Sequence, residues 1–140
     1  MIKQQSLIPE FVEFIPEKLL LGTIYISERY STAAHLCCCG CNSRVVTPLN
    51  SAKWQLLQSN GRVSLHPSIG NWSLPCQSHY WIKNNQIVWA EAMSPELIQR
   101  VKDRDRLDHD QMADALNREQ ISFGRRLWDS WKKFFSSLLK

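Results

Sequence analysis

Four of the five cysteines stand within five residues, Cys37, Cys38, Cys39 and Cys41, and the fifth is Cys76. A disulfide framework spreads its cysteines along a chain, so two tight groups point instead to metal binding or thiol chemistry, and to a fold that brings both groups together. The first group reads His35-Leu36-Cys37-Cys38-Cys39-Gly40-Cys41 and the second Cys76-Gln77-Ser78-His79. Thiolates and imidazoles at such spacings, with a glycine that lets the backbone turn around an ion, are what a tetrahedral zinc site needs. In an extended segment His35, Cys37, Cys39 and Cys41 share one face and Cys38 points away. Cys37, Cys39, Cys41 and Cys76 are therefore the preferred ligands, leaving His35 and His79 beside the metal. Cys39, Cys41, Cys76 and His79 form a second usable set, and buried reduced thiols packing as small apolar groups are the plainer alternative. Four protein ligands would make the zinc structural, because a catalytic zinc keeps a position open for water.

The chain has 140 residues, 44% hydrophobic and 21% charged. That is the size and balance of one globular domain, able to bury about two-thirds of its unfolded surface without disulfides. No apolar run is long enough to span a bilayer, and the N-terminus lacks the charged lead and apolar stretch of a signal peptide, so a soluble cytoplasmic protein is expected. The formal charge is +4, but the excess lies in residues 121–140, where five basic side chains face one acidic one. With no surface-wide basic field, nucleic acid is not an expected partner. No Asp precedes Asp103. A catalytic histidine in the first half would have to be oriented by Glu, Asn or a backbone carbonyl.

Up to about residue 91 the pattern is short, β-rich and punctuated. Phe11 to Ile15 and Gly22 to Ser27 have strand composition. Trp54 to Gln58 and Arg62 to Leu65 flank Asn60-Gly61, a type I′ hairpin signal, and His79 to Lys83 and Gln86 to Ala90 flank Asn84-Asn85. His66 to Pro75 is too rich in breakers to predict regular structure. From Ser94 the period becomes helical, with Ser94 as N-cap, Pro95 at the first helical position and Glu96 behind it. Leu127, Trp128, Trp131, Phe134, Phe135, Leu138 and Leu139 then form an amphipathic face, with Arg125, Arg126, Lys132 and Lys133 elsewhere on the cylinder. The predicted class is α+β: residues 1–93 form a compact β-rich core of short antiparallel strands and hairpins with a zinc site, and residues 94–140 a helical extension.

Organic catalysis is also open to these residues. His79 or His35 can serve as general base, and Ser68, Ser73 or Ser78 as nucleophile. Ser78 adjoins His79 in sequence and would point to the opposite face of a strand, so Ser68, in the Pro-Ser-Ile-Gly segment, is the better geometric choice. Its plainer role is a turn serine bonded to its own backbone. Cys38, if no ligand, is another thiol nucleophile. Trp72, Tyr80, Trp81 and Trp89 lie near these groups with only Lys83 interleaved, which favours core packing over a nucleic-acid platform. The C-terminal amphipath fits docking on its own domain or on a protein better than a membrane surface.

PEFVEFIPEKL, YISERY, AAHLCCCGC, VVTPL, SLHPSIGNWSLPCQSHYWI and VWA, spanning about Pro9 to Ala90, resemble a family of small Cys/His-rich bacterial proteins encoded in bacterial ubiquitination-like operons. The resemblance implies metal binding, and as partners a ubiquitin-like protein with its activating and conjugating enzymes. It also implies a peptidase that removes or matures that modifier. The family pattern is matched by Cys37, Cys39, Cys41 and Cys76 and by His35, Ser68 and His79, whereas Cys38 stands where relatives carry a small residue. The expectation is a zinc-stabilised, serine-type, deubiquitinase-like peptidase in which Ser68 attacks, His79 is the base and His35 or a backbone group orients it. The alternatives are a non-catalytic zinc adaptor of the same machinery and a metallopeptidase with an open zinc.

Overall fold

The computed structural model describes residues 2–50 and 53–138, apart from the side chains of 109, 112 and 133–138. Eight short strands form two four-stranded sheets. The first holds β1 (Ile8–Phe11), β2 (Thr23–Ser27), β3 (Thr32–Leu36) and β4 (Arg44–Pro48) in that order. The second holds β5 (Gln55–Ser59), β6 (Arg62–Gly70), β7 (His79–Lys83) and β8 (Gln86–Trp89). Every pairing is antiparallel except β1 with β2, which is parallel. The β-rich, hairpin-built class expected from the sequence is the one seen.

Both hairpin turns form where the asparagines predict them. Asn60 and Gly61 take φ of 49° and 72°, and Asn84 and Asn85 take 49° and 68°. These are the left-handed values a two-residue turn requires, and Asn and Gly tolerate them best. Two expectations fail. The first strand starts earlier than predicted, at Ile8, because its pairing with Thr23 to Ile26 sets its limits. The breaker-rich His66 to Gly70 is strand: β6 runs through a cis His66–Pro67 bond to Gly70. Between the pairs Leu65↔Ile82 and Ile69↔Tyr80 three residues of β6 stand opposite the single Trp81 of β7. The bulge absorbs the surplus, and bulges of this kind re-aim side chains beside functional sites.

One core serves both sheets. Ile24, Ile26, Ala33 and Val45 from the first pack in the same buried cluster as Val63, Leu65, Ile69, Tyr80, Ile82 and Ile87 from the second, with Leu7, Cys37 and Cys38. The N-terminal segment stitches the sheets together. Leu7 N–H donates to Asn85 O and Ile87 N–H to Gln5 O, each at 2.8 Å, and the next residue, Ile8, donates to Gly22 O beside β2.

Two compact units are present, Met1–Ala92 and Met93–Lys140. The second holds a 44-residue helix, α1 (Pro95–Leu138). Its start is as the sequence predicts: Ser94 Oγ accepts from Leu97 N–H at 3.3 Å. Leu116, Leu127, Trp128 and Trp131 are exposed along it. The side chains of Met112, Lys133, Phe134, Phe135 and Leu138, and Leu139 as a whole, lie outside the described residues. No described helix is long and apolar enough to cross a membrane.

Candidate active site and thiol cluster

The bulge in β6 turns Ser68 toward the start of β7. Its Oγ lies 2.9 Å from Nε2 of His79, a hydrogen bond between a nucleophile candidate and a base candidate. The main chain on both sides is fixed. Trp54 Nε1 donates to Ser68 O at 3.3 Å, and Ala90 N–H donates to His79 O at 3.0 Å. On β7 the alternation buries Tyr80 and Ile82 and leaves His79 and Trp81 together on the opposite face. The Trp81 ring centre is 5.4 Å from that of His79, and the Trp72 ring centre is 4.9 Å from it. Gly70 stands directly opposite His79 across the ladder, and a Cβ there would overlap the Trp72 indole. Glycine lets that ring lie against the strand.

Burial holds the His79 imidazole below its ordinary pKa, so it is neutral near pH 7 and able to accept a proton. Its Nδ1 is buried and, among the described residues, has no hydrogen-bond partner. The expectation that His35 or a backbone group orients the base is therefore not met. His35 lies in β3, fully buried, with Nε2 2.8 Å from the Tyr80 hydroxyl. Burial lowers its pKa to about 4. Tyr80 comes from the buried face of β7, opposite to the one that carries His79, so His35 serves the core side of the strand.

The Cys residues occupy two loops. After β3 the chain turns tightly: Gly40 N–H donates to Cys37 O at 3.1 Å, Gly40 takes φ 89°, and Cys37 N–H donates to Ser43 O at 2.8 Å. In the second sheet Asn71 to Ser78 closes on itself, with Asn71 N–H donating to Ser78 O at 2.9 Å and Gln77 at φ 43°. The loops bring Cys37, Cys39, Cys41 and Cys76 together with all four Sγ atoms within 4.8 Å of one another. This cluster can hold a metal ion. Cys37 Sγ is 3.4 Å from Cys39 Sγ and 3.8 Å from Cys76 Sγ. The Cys41 thiol is lowered to about 6, chiefly by its hydrogen bond with Ser43.

The preferred sequence set is thus gathered, though not through the alternation of an extended strand, because β3 ends at Leu36 and the cysteines follow in a turn. His79 has its Nε2 on Ser68 and is not among the clustered ligand atoms. Cys38 points into the apolar core, fully buried, where desolvation pushes its thiol up to about 12. Such a group is a poor nucleophile.

Several residues take roles at the site that the sequence did not assign to them. Ser78 Oγ is 3.1 Å from Cys37 Sγ, and Asn71 Nδ2 donates to Ser78 Oγ at 2.8 Å while lying 3.5 Å from Cys37 Sγ. Asn71 Nδ2 also reaches the Tyr80 hydroxyl at 3.4 Å. Ser78 is therefore part of the surround of the thiol cluster. Trp72 and Trp81, expected in the core, are half-buried and touch His79. The one available signal was that Trp81 stands two residues after His79 on a strand, hence on its face.

A family model described as "Bacterial ubiquitination-like system serine protease (BubE)" matches residues 11–90. That span takes in both loops, all five cysteines, Ser68 and His79. The chain belongs to this BubE family. The resemblance noted in the sequence is thereby shown, and it places the chain in a bacterial ubiquitination-like system. Comparison with curated proteins and with solved structures finds no match.

Proposed function

We propose that the chain is a serine peptidase that cleaves at the C-terminal tail of a bacterial ubiquitin-like modifier, with Ser68 as nucleophile and His79 as general base. The observation that carries the reading is the 2.9 Å contact between Ser68 Oγ and His79 Nε2 in a member of a serine protease family. Ser68 Oγ forms a bond to the scissile carbonyl carbon as its proton passes to His79 Nε2. The imidazolium then gives that proton to the leaving nitrogen as the C–N bond breaks. Water, deprotonated by the same nitrogen, releases the acyl group and restores Ser68. The modifier's tail must enter extended, so the reading requires room for it beside Pro67 to Asn71.

The thiol cluster is read as a structural zinc site. Four Sγ atoms within 4.8 Å of one another offer the all-thiolate donor set that a structural zinc takes. Cys37, Cys39, Cys41 and Cys76 would hold the ion, which when bound supplies folding energy and has no open position for water. The brace ties the loop after β3 in one sheet to the loop before β7 in the other, and His79 begins three residues beyond Cys76. The ubiquitin-like protein and its activating and conjugating enzymes are the partners this reading expects.

The test is incubation of the metal-loaded protein with the ubiquitin-like protein of its own system carrying a C-terminal extension, followed by mass spectrometry of the products. Cleavage at the modifier's terminus supports the reading. Intact substrate beside folded, metal-bound protein overturns it in favour of a non-catalytic adaptor.

A further inference from the structure

We propose that Trp72 and Trp81 are positioning residues for His79, holding its imidazole by ring contact in the absence of the carboxylate a triad would use. The inference rests on the reading of Ser68 and His79 as nucleophile and base. A base that takes the serine proton through Nε2 needs a fixed ring plane and a means of bearing the positive charge that develops. In a triad a carboxylate on Nδ1 provides both. Here Nδ1 is buried and unpartnered among the described residues, and no Asp occurs before Asp103. The carboxylates of the β core are Glu10, Glu13, Glu17, Glu28 and Glu91, and no described residue hydrogen-bonds that nitrogen.

What does touch the imidazole is aromatic. Trp72 and Trp81 approach at 4.9 and 5.4 Å between ring centres, tilted by 59° and 38°. A cation within about 6 Å of an indole face is attracted by the ring quadrupole, more strongly where water is excluded. The indoles therefore favour the imidazolium that forms as Ser68 attacks, and their bulk restricts the rotation of the ring. The surroundings are built for this contact. Gly70, opposite His79, leaves the space that Trp72 fills, and β7 alternation sets Trp81 on the same face as the base. Among the described residues Lys83 lies beside this assembly, its Nζ 5.5 Å from the Trp81 ring centre.

The experiment uses a fluorophosphonate probe on the full-length, metal-loaded chain. Ser68 Oγ forms a bond to phosphorus, fluoride leaves, and the hydroxyl proton goes to His79, so labelling reports activation of the serine without any need for the natural substrate. Trp72→Leu and Trp81→Leu are each expected to lower the maximal labelling rate about tenfold, with little change in the half-saturating probe concentration. Trp72→Phe, which keeps an aromatic face, should recover most of that loss, and Gly70→Ala, which displaces the unaltered indole, should reproduce it. Thermal melting on the same samples establishes that the variants are folded. Leucine variants that label at the wild-type rate, or a Trp72→Phe variant as slow as Trp72→Leu, overturn the positioning role while leaving Ser68 and His79 in place. A wild-type protein that never labels at Ser68 overturns both.

Discussion

The Cys37 Sγ and the Ser78 Oγ lie 3.1 Å apart, and Ser78 immediately precedes His79. The thiol cluster and the candidate base therefore share a segment of chain only a few residues long. Asn71, bonded to Ser78 and within 3.5 Å of Cys37 Sγ, ties the near end of the same loop to the cluster. Groups that hydrogen-bond a metal's ligands fix their orientation and tune affinity. Ser78→Ala should weaken metal binding by about 10 to 100-fold. Competition against a chelating dye measures this, and an unchanged affinity would show that Ser78 only fills space.

Removal of the metal should unfold the β core. Four-thiolate sites contribute their binding energy to folding, and in this chain the cluster joins loops of both sheets. A strong chelator is expected to abolish the cooperative melt and activity together. A domain that stays folded while losing activity would instead indicate an open catalytic metal.

Cys38 and Cys39, adjacent in sequence, should behave differently. Cys39→Ser removes one of the clustered ligands, whereas Cys38→Ala removes a small core group outside the cluster. The second variant should keep a full complement of metal at a cost of about 1 kcal/mol, and the first should lose it. Native mass spectrometry reads both, and equal metal loss in the two variants would refute the ligand set.

His35 makes stability depend on pH. Its pKa is about 4 in the folded chain against 6.5 for a free imidazole, so between these values the unfolded state binds the extra proton. Stability from the neutral buried ring is fully present above pH 6.5 and is lost as pH falls toward 4. The difference amounts to about 3 kcal/mol. Urea midpoints over this range should fall more steeply for wild type than for His35→Gln, and parallel slopes would contradict the assignment.

The hairpins were legible because Asn60-Gly61 and Asn84-Asn85 encode backbone conformations that few other residues accept, a local property. The thiol set was legible because the chemistry of Cys residues in two groups admits few arrangements. The course of β6 was hidden, since Pro67 and Gly70 read as breakers and only pairing across the bulge makes that segment a strand. The roles of Trp72 and Ser78 were hidden for a related reason. Both depend on the closure of the Asn71 to Ser78 loop, a tertiary event that leaves no periodicity in the sequence. His35 was misplaced because its motif neighbours are thiols, while its strand register turns it to Tyr80.

The central claim is that Ser68 and His79 form a working pair, and the most direct measurement compares wild type, Ser68→Ala and His79→Ala on the modifier carrying a C-terminal extension. Both variants should retain the melting profile and metal content of wild type, since neither side chain belongs to the thiol cluster. Their cleavage rates should fall at least about 1,000-fold, the scale on which loss of a nucleophile or its base acts. Cleavage that persists in folded Ser68→Ala would contradict the account and place the nucleophile elsewhere.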